Sequence, residues 1–207
     1  MVMINKFSYV LVLCICAAVC SGQAMAAEYP WQLKRDKDGI KVYTRKVEGS
    51  PVLEYKATVT IKAPMADVIA LYEDESRFPQ WFYQCVEAKL LKDEGPDRKI
   101  IYFVLSLPWP VSQRDTVFRR TKLVDAQGAV TYDLTALPDE IPRHKGRVRV
   151  PYLKTIWRFT ALPDGSTEVY FQQHSDAGGF IPPMIVNKLV VDIPFHSLKN
   201  LRKLIFS

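Results

Sequence analysis

The sequence predicts an α+β fold: a curved antiparallel β-sheet wrapped around one long C-terminal helix, with an apolar cavity between them. Three observations carry this expectation. The middle of the chain is a series of short segments of strand character separated by turns; a helical stretch interrupts the series early; and the last part repeats apolar residues at three- and four-residue steps. No internal repeats, low-complexity tracts or long linkers occur, so residues 27–207 are expected to form a single domain.

Residues 1–26 stand apart. Lys6 precedes an apolar run over 7–19, and Ala24-Met25-Ala26 fits the small-x-small pattern of signal-peptidase sites. The run is shorter than the ~20 residues of a membrane span. A secretory signal is therefore expected, with a secreted or periplasmic product; Val19 is too bulky, just before Cys20, for lipoprotein processing. Cleavage removes Cys14, Cys16 and Cys20 and leaves Cys85, which excludes an internal disulfide and reads as a packed small hydrophobe. The core must then stand on burial alone, and a chain that is 48% hydrophobic can supply it. Loss of Lys6 takes one unit from the formal net charge of +6, so the remaining chain stays basic. That charge suits transient contact with an anionic membrane surface. An exported protein has no nucleic acid to meet, and that partner class is excluded.

The elements follow in order. A strand is expected at 40–46. Over 52–61, Tyr55, Ala57, Val59 and Ile61 alternate with Glu54, Lys56, Thr58 and Thr60, giving a strand with one wet face. Ala63-Pro64-Met65-Ala66-Asp67 opens a helix whose apolar side is Val68, Ile69, Leu71 and Tyr72, and residues 74–79 break it. Further strands are expected at 85–92, 99–107, 116–124, 130–135, 146–150, 153–161 and 167–175, with Pro163-Asp164-Gly165-Ser166 as the turn between the last two. Gly178 and Gly179 permit a sharp turn, and a proline suits the first turn of a helix, so the last helix starts near Pro182 or Pro183. Its apolar stripe is Val186, Leu189, Val190, Ile193, Ser197, Leu201 and Leu204. Pro194 removes a backbone hydrogen bond inside it and makes either a hinge that moves on ligand entry or a static bend. A helix pair, a strand meander and this final helix compose a helix-grip architecture.

Several motifs carry a resemblance to a known family. Asp176-Ala177-Gly178-Gly179-Phe180-Ile181-Pro182 is close to the Asp-Pro-Gly-Gly-x-Ile-Pro that precedes the final helix of START domains, with Ala177 in place of the proline. Upstream, Asp38-Gly39-Ile40-Lys41-Val42-Tyr43, Trp81, Pro110-Val111-Ser112-Gln113-Arg114-Asp115 and Gly146-Arg147-Val148-Arg149 lie in family order. The chain thus resembles START lipid-transfer domains over roughly residues 31–205. The resemblance implies a lipid ligand, no cofactor and a structural role for Arg114 and Asp115 at the entry to a strand. It also implies that the loop Leu107-Pro108-Trp109-Pro110-Val111 lies beside the C-terminal helix at the cavity mouth.

Candidate site residues follow from strand parity and the resemblance together. Ile101, Phe103, Leu105 and Leu107, with Thr116, Phe118 and Arg120, form one aromatic and aliphatic wall with a single cation. Arg120 matches the buried arginine that sterol-binding START domains pair with a cavity glutamate, but Ile101 stands at the acid's position. A desolvated guanidinium without that acid must find a lipid head group or a neighbouring carboxylate, unless Arg120 points outward beside Arg119. On strand 167–175, Gln173 shares parity with Val169 and Phe171 and is the expected polar contact. Pro108 and Pro110 stiffen their loop, and Trp109 either touches the membrane during exchange or caps the core. No metal set, nucleophilic triad or phosphate loop is present. The expected function is non-covalent lipid binding and transfer, the cargo being a sterol or hopanoid, phospholipid, fatty acid or quinone. The alternatives are a cavity enzyme, with His174 or Tyr102 as acid–base groups, and a protein-binding module using the basic final helix.

Overall fold

The computed structural model describes residues 29–207; the segment read as a secretory signal lies outside the described residues. β1 (Gln32–Lys37) and β2 (Ile40–Val47) form a hairpin across Asp38-Gly39, both at positive φ, as a two-residue turn of this hand requires. β3 (Ser50–Ile61) leads into α1 (Met65–Glu73), where the Pro64 carbonyl accepts from the amides of Asp67 and Val68. A single 3₁₀ turn (Glu75–Arg77) and the short α2 (Phe78–Trp81) follow. Then come β4 (Cys85–Asp93), β5 (Arg98–Leu105), β6 (Gln113–Val124), β7 (Val130–Ala136), β8 (Arg147–Arg149), β9 (Tyr152–Ala161), β10 (Thr167–Asp176) and α3 (Pro183–Ile205).

The strands form one sheet in the order β1-β2-β3-β10-β9-β7-β6-β5-β4. Its inner face wraps α3 in the expected helix-grip arrangement, with α3 seated on β2 and β3. Two features depart from the sequence reading. β1 is an additional strand: Gln-Leu-Lys-Arg-Asp-Lys shows no apolar alternation, and edge pairing with β2 is what makes it a strand. β8 pairs parallel with β6 rather than antiparallel, beside Gln113–Asp115, while β7 takes the same edge along Phe118–Val124. β6 also begins three residues before the expected Thr116, and this extension proves to matter.

Register fixes which side chains face α3. Tyr55, Gln173, Thr155, Leu134 and Arg120 lie in one row across β3, β10, β9, β7 and β6; Ala57, Phe171, Trp157 and Tyr132 lie in the next. On this face aromatic rings make a continuous cluster, with Trp157 stacked on Phe171 at 3.9 Å between centroids and Tyr72 packed on Tyr132, Trp157 and Phe159. On the opposite face Ile100, Tyr102, Val104 and Val117 form a small second core under Leu137 and Ile141.

α3 buries Leu189, Val190, Ile193, Ser197 and Leu201 of the stripe read from its spacing, joined by Phe195 and Leu198, and leaves Val186 and Leu204 at its two ends half-buried. Its polar ties are unevenly spread. Asp192 pairs with Arg35 at 2.9 Å, Ser197 Oγ accepts from the Tyr83 amide at 3.0 Å, Lys199 pairs with Asp38 at 2.9 Å, and Arg202 donates to the Asp38 carbonyl at 2.8 Å. Among the described residues, no side chain of α3 before Asp192 makes a hydrogen bond or ion pair. No helix of the described residues is long and apolar enough to cross a membrane.

Candidate functional site

The space between the sheet and the first half of α3 is not filled. A cavity of about 360 Å³ remains there. Its walls come from β3, β5, β6, β9 and β10, its floor from Tyr72, Phe78 and Trp81 of α1 and α2, and its roof from Val186, Leu189, Val190 and Ile193 of α3. The segment 176–181 closes one end. Gly178 and Gly179 both have positive φ (66° and 61°), and a Cβ on Gly178 would meet the Arg149 carbonyl oxygen at 3.1 Å. Only glycine fits this close approach without strain.

Of the expected ligand-binding residues, Thr116, Phe118, Phe103, Leu105, Gln173, Val190 and Ile193 line the cavity. Gln173 Oε1 accepts from Thr155 Oγ1 at 3.0 Å, and its amide nitrogen donates to Ser175 Oγ at 3.3 Å. Four others are placed elsewhere. Ile101 and Phe171 are buried in the packed core, and Ser197 is engaged with the Tyr83 amide.

Arg120 is the fourth, and it is buried rather than turned outward. Its Nη2 meets Glu75 Oε1 at 2.6 Å, and its guanidinium lies over the rings of Tyr72 and Tyr132. The neighbouring acid takes the place that a head group would have filled. The expected assignment of a head group to Arg120 is corrected accordingly.

Arg114 and Asp115, expected in a structural role at the entry to a strand, lie on opposite faces of β6, because strand alternation separates neighbours. Asp115 faces the outer core. There Arg149 Nε and Nη2 donate to its two oxygens at 3.1 and 2.9 Å, and the Tyr102 hydroxyl donates at 3.3 Å. Arg114 faces inward, at the start of β6, and lines the cavity. It donates to the carbonyls of Ser112 (2.5 Å), Gly178 (3.2 Å) and Phe180 (3.4 Å), so it ties the loop before β6 to the closing segment. Its structural role stands, and a place in the lining is added. Extending the parity of Thr116 two residues back would have found it.

Segments that contribute to the lining also carry exposed apolar side chains. Trp109 is 91% exposed, which excludes a buried cap, and Phe180 and Met184 are 82% and 83% exposed. Pro108 and Pro110 flank Trp109, the latter through a cis peptide bond. Pro194 lies inside an unbroken α3, on its buried side.

Neither acid–base candidate reaches the cavity. Tyr102 belongs to the outer core, where its hydroxyl also accepts from Arg147 at 2.6 Å, and His174 bonds Ser50 Oγ at 3.0 Å. No histidine or cysteine is among the described lining residues. Cys85 is buried, and burial pushes its thiol up to about 12.

The family model described as START domain matches residues 16–205, starting inside the segment read as a secretory signal. An uncharacterized protein of Pseudomonas aeruginosa is 41% identical over 182 residues, covering 88% of this chain and 89% of that one. The phosphatidylcholine transfer protein of Bos taurus is 26% identical over 164 residues, covering 76% and 75%. A crystal structure of a STAR-related lipid transfer protein fragment from Xanthomonas axonopodis superposes with a TM-score of 0.80 at 39% identity, covering 86% of this chain and 99% of that one. The fold alone is also shared with the Zhui aromatase/cyclase of Streptomyces sp. R1128, at 16% identity, TM-score 0.52 and coverage of 74% and 93%.

Proposed function

The chain belongs to the START domain family, and on that premise we propose that it takes a lipid into the cavity under α3 and carries it, without covalent chemistry, between membranes. The observation that carries the reading is the cavity itself, with aromatic and aliphatic walls and a few placed polar groups, closed at one end by a segment that carries the exposed Phe180. Burial of lipid surface from water contributes about 25 cal/mol per Å². A membrane shelters the same surface, so the net preference for the cavity is small and the cargo can be released as well as captured.

Exposed aromatic and sulfur-bearing side chains on segments that contribute to the lining suit entry into the lipid boundary. The basic charge draws the protein to an anionic leaflet, and the leader-like residues 1–26 direct it to the periplasm or outside. Pro194 bounds the half of α3 that would swing to admit the ligand. A second reading, a cavity enzyme, is favoured by the fold shared with an aromatase/cyclase; against it, the described lining has neither histidine nor cysteine to move a proton or attack a carbonyl.

The test is mass spectrometry of organic extracts from protein purified without detergent, followed by transfer of labelled lipid between liposomes. One lipid class at near-stoichiometric amount, together with accelerated transfer, is expected. A protein that emerges empty and takes nothing from liposomes overturns the reading in favour of an enzyme or a protein-binding module.

A further inference from the structure

Three arginines are buried: Arg114, Arg120 and Arg149. Two of them have a carboxylate, Glu75 for Arg120 and Asp115 for Arg149. Arg114, 3% exposed, has none; all three of its partners are neutral carbonyls. A guanidinium carries five N–H donors, so those bonds leave two unused. Its Nε is buried without a partner, and burial lowers the pKa of the group. An unpaired charge in an apolar wall is costly unless something neutralises it.

The surroundings point the same way. Arg114 is the single cation among the described lining residues. The one carboxylate there, Asp176, is exposed at the mouth and accepts from the Gly178 amide at 2.8 Å. The cavity lining also includes Tyr55, Tyr72 and Trp81, whose Oη and Nε1 atoms are buried without partners. The indole can only donate, and burial keeps both phenols protonated by raising them well above their ordinary value. The cavity lining therefore carries three buried side chains with an unpartnered donor besides Arg114.

We infer that the cavity selects a lipid with an oxyanion head group, a carboxylate or a phosphate, which is held at the mouth by the free N–H groups of Arg114 while its apolar chain runs towards Phe78 and Trp81. This rests on the lipid-binding reading above and narrows its cargo. Sterols, hopanoids and quinones, which have no anionic group, leave Arg114 uncompensated. The same residue clamps the closing segment through Gly178 and Phe180, so head-group capture and closure of the mouth meet on one side chain.

The experiment measures binding of three probes with the same sixteen-carbon chain to the full-length protein, delipidated beforehand: hexadecanoate, hexadecyl phosphate and hexadecanol. Both anions, or one of them, should bind at least about tenfold more tightly than the alcohol, the scale of a charge-assisted hydrogen bond; which anion leads separates a fatty-acid from a phospholipid source. Arg114→Gln should erase that difference. Equal affinity for all three probes in the unaltered protein, or a preference that survives Arg114→Gln, overturns the inference. If Arg114→Gln does not fold by circular dichroism, the comparison in the unaltered protein decides alone. Failure of every probe to bind overturns the lipid-binding reading instead.

Discussion

Asp115 and Arg149 meet inside the outer core, each 1% exposed at its side chain, in a two-point contact. Burial is the strongest single influence on Asp115 and raises its pKa, but the hydrogen bonds and charge of Arg149 outweigh it and hold the carboxyl below its ordinary 3.8. The unfolded chain therefore takes up this proton first as pH falls. The pair's contribution is complete above about pH 4 and is lost as pH drops through the folded value. Arg149→Met, which strands the carboxylate, should cost about 3–5 kcal/mol in urea unfolding and move the acid-unfolding midpoint to higher pH; an unchanged midpoint would remove the pair from the acid response. Cys85 gives a second residue-scale prediction. Buried and raised to about 12, it should resist iodoacetamide in the folded protein and react on unfolding, as read by peptide mapping.

At the scale of elements, the closing segment 176–181 depends on glycine. Gly178→Ala adds a side chain at φ +66° against the Arg149 carbonyl, which should lower stability by about 1–2 kcal/mol and loosen the mouth, seen as faster lipid release. The β5–β6 loop should dock: Trp109→Ser is expected to weaken liposome binding while leaving the melting temperature within a degree or two, because the side chain is almost fully exposed and packs on nothing that folding needs. An unchanged liposome affinity would exclude the loop from membrane contact. Most of these elements were legible in the sequence. Alternation on β3 and the three- and four-residue stripe of α3 are strong local signals, since one face of each is buried. What was hidden is non-local. β1 has no apolar pattern and exists by pairing, although its Asp-Gly turn was in plain view. The partner of Arg120 lies 45 residues away on a 3₁₀ turn, a distance that no periodicity reports. The inward face of Arg114 was not read because β6 was started at Thr116, which left the residue two positions earlier without an assigned face.

For the whole molecule, Tyr55, Tyr72, Trp81, Arg114 and Arg120 each bury a polar atom without a partner, and on the lipid-binding reading the cargo binds the folded state alone. Stability should therefore rise with cargo. At a free ligand concentration of 100 Kd the gain is about 2.7 kcal/mol, or roughly 5–10 °C in Tm for a domain of this size. Thermal melts of delipidated and reloaded protein measure it; coincident melts would mean that no ligand had entered.

The uneven tethering of α3 has a consequence for hydrogen exchange. From Asp192 onward the helix is tied to Arg35, Tyr83 and Asp38, whereas the part before it rests on apolar contact across a cavity alone. Amide protection should accordingly step up along a single helix near Pro194, where the backbone ladder is already short of one donor. Amides in the first half should exchange through local opening in the empty protein and slow when it is loaded, while those around Leu198 and Leu201 exchange only with global unfolding in both states. A helix of this kind works as a cantilever, fixed at one end and read out at the other.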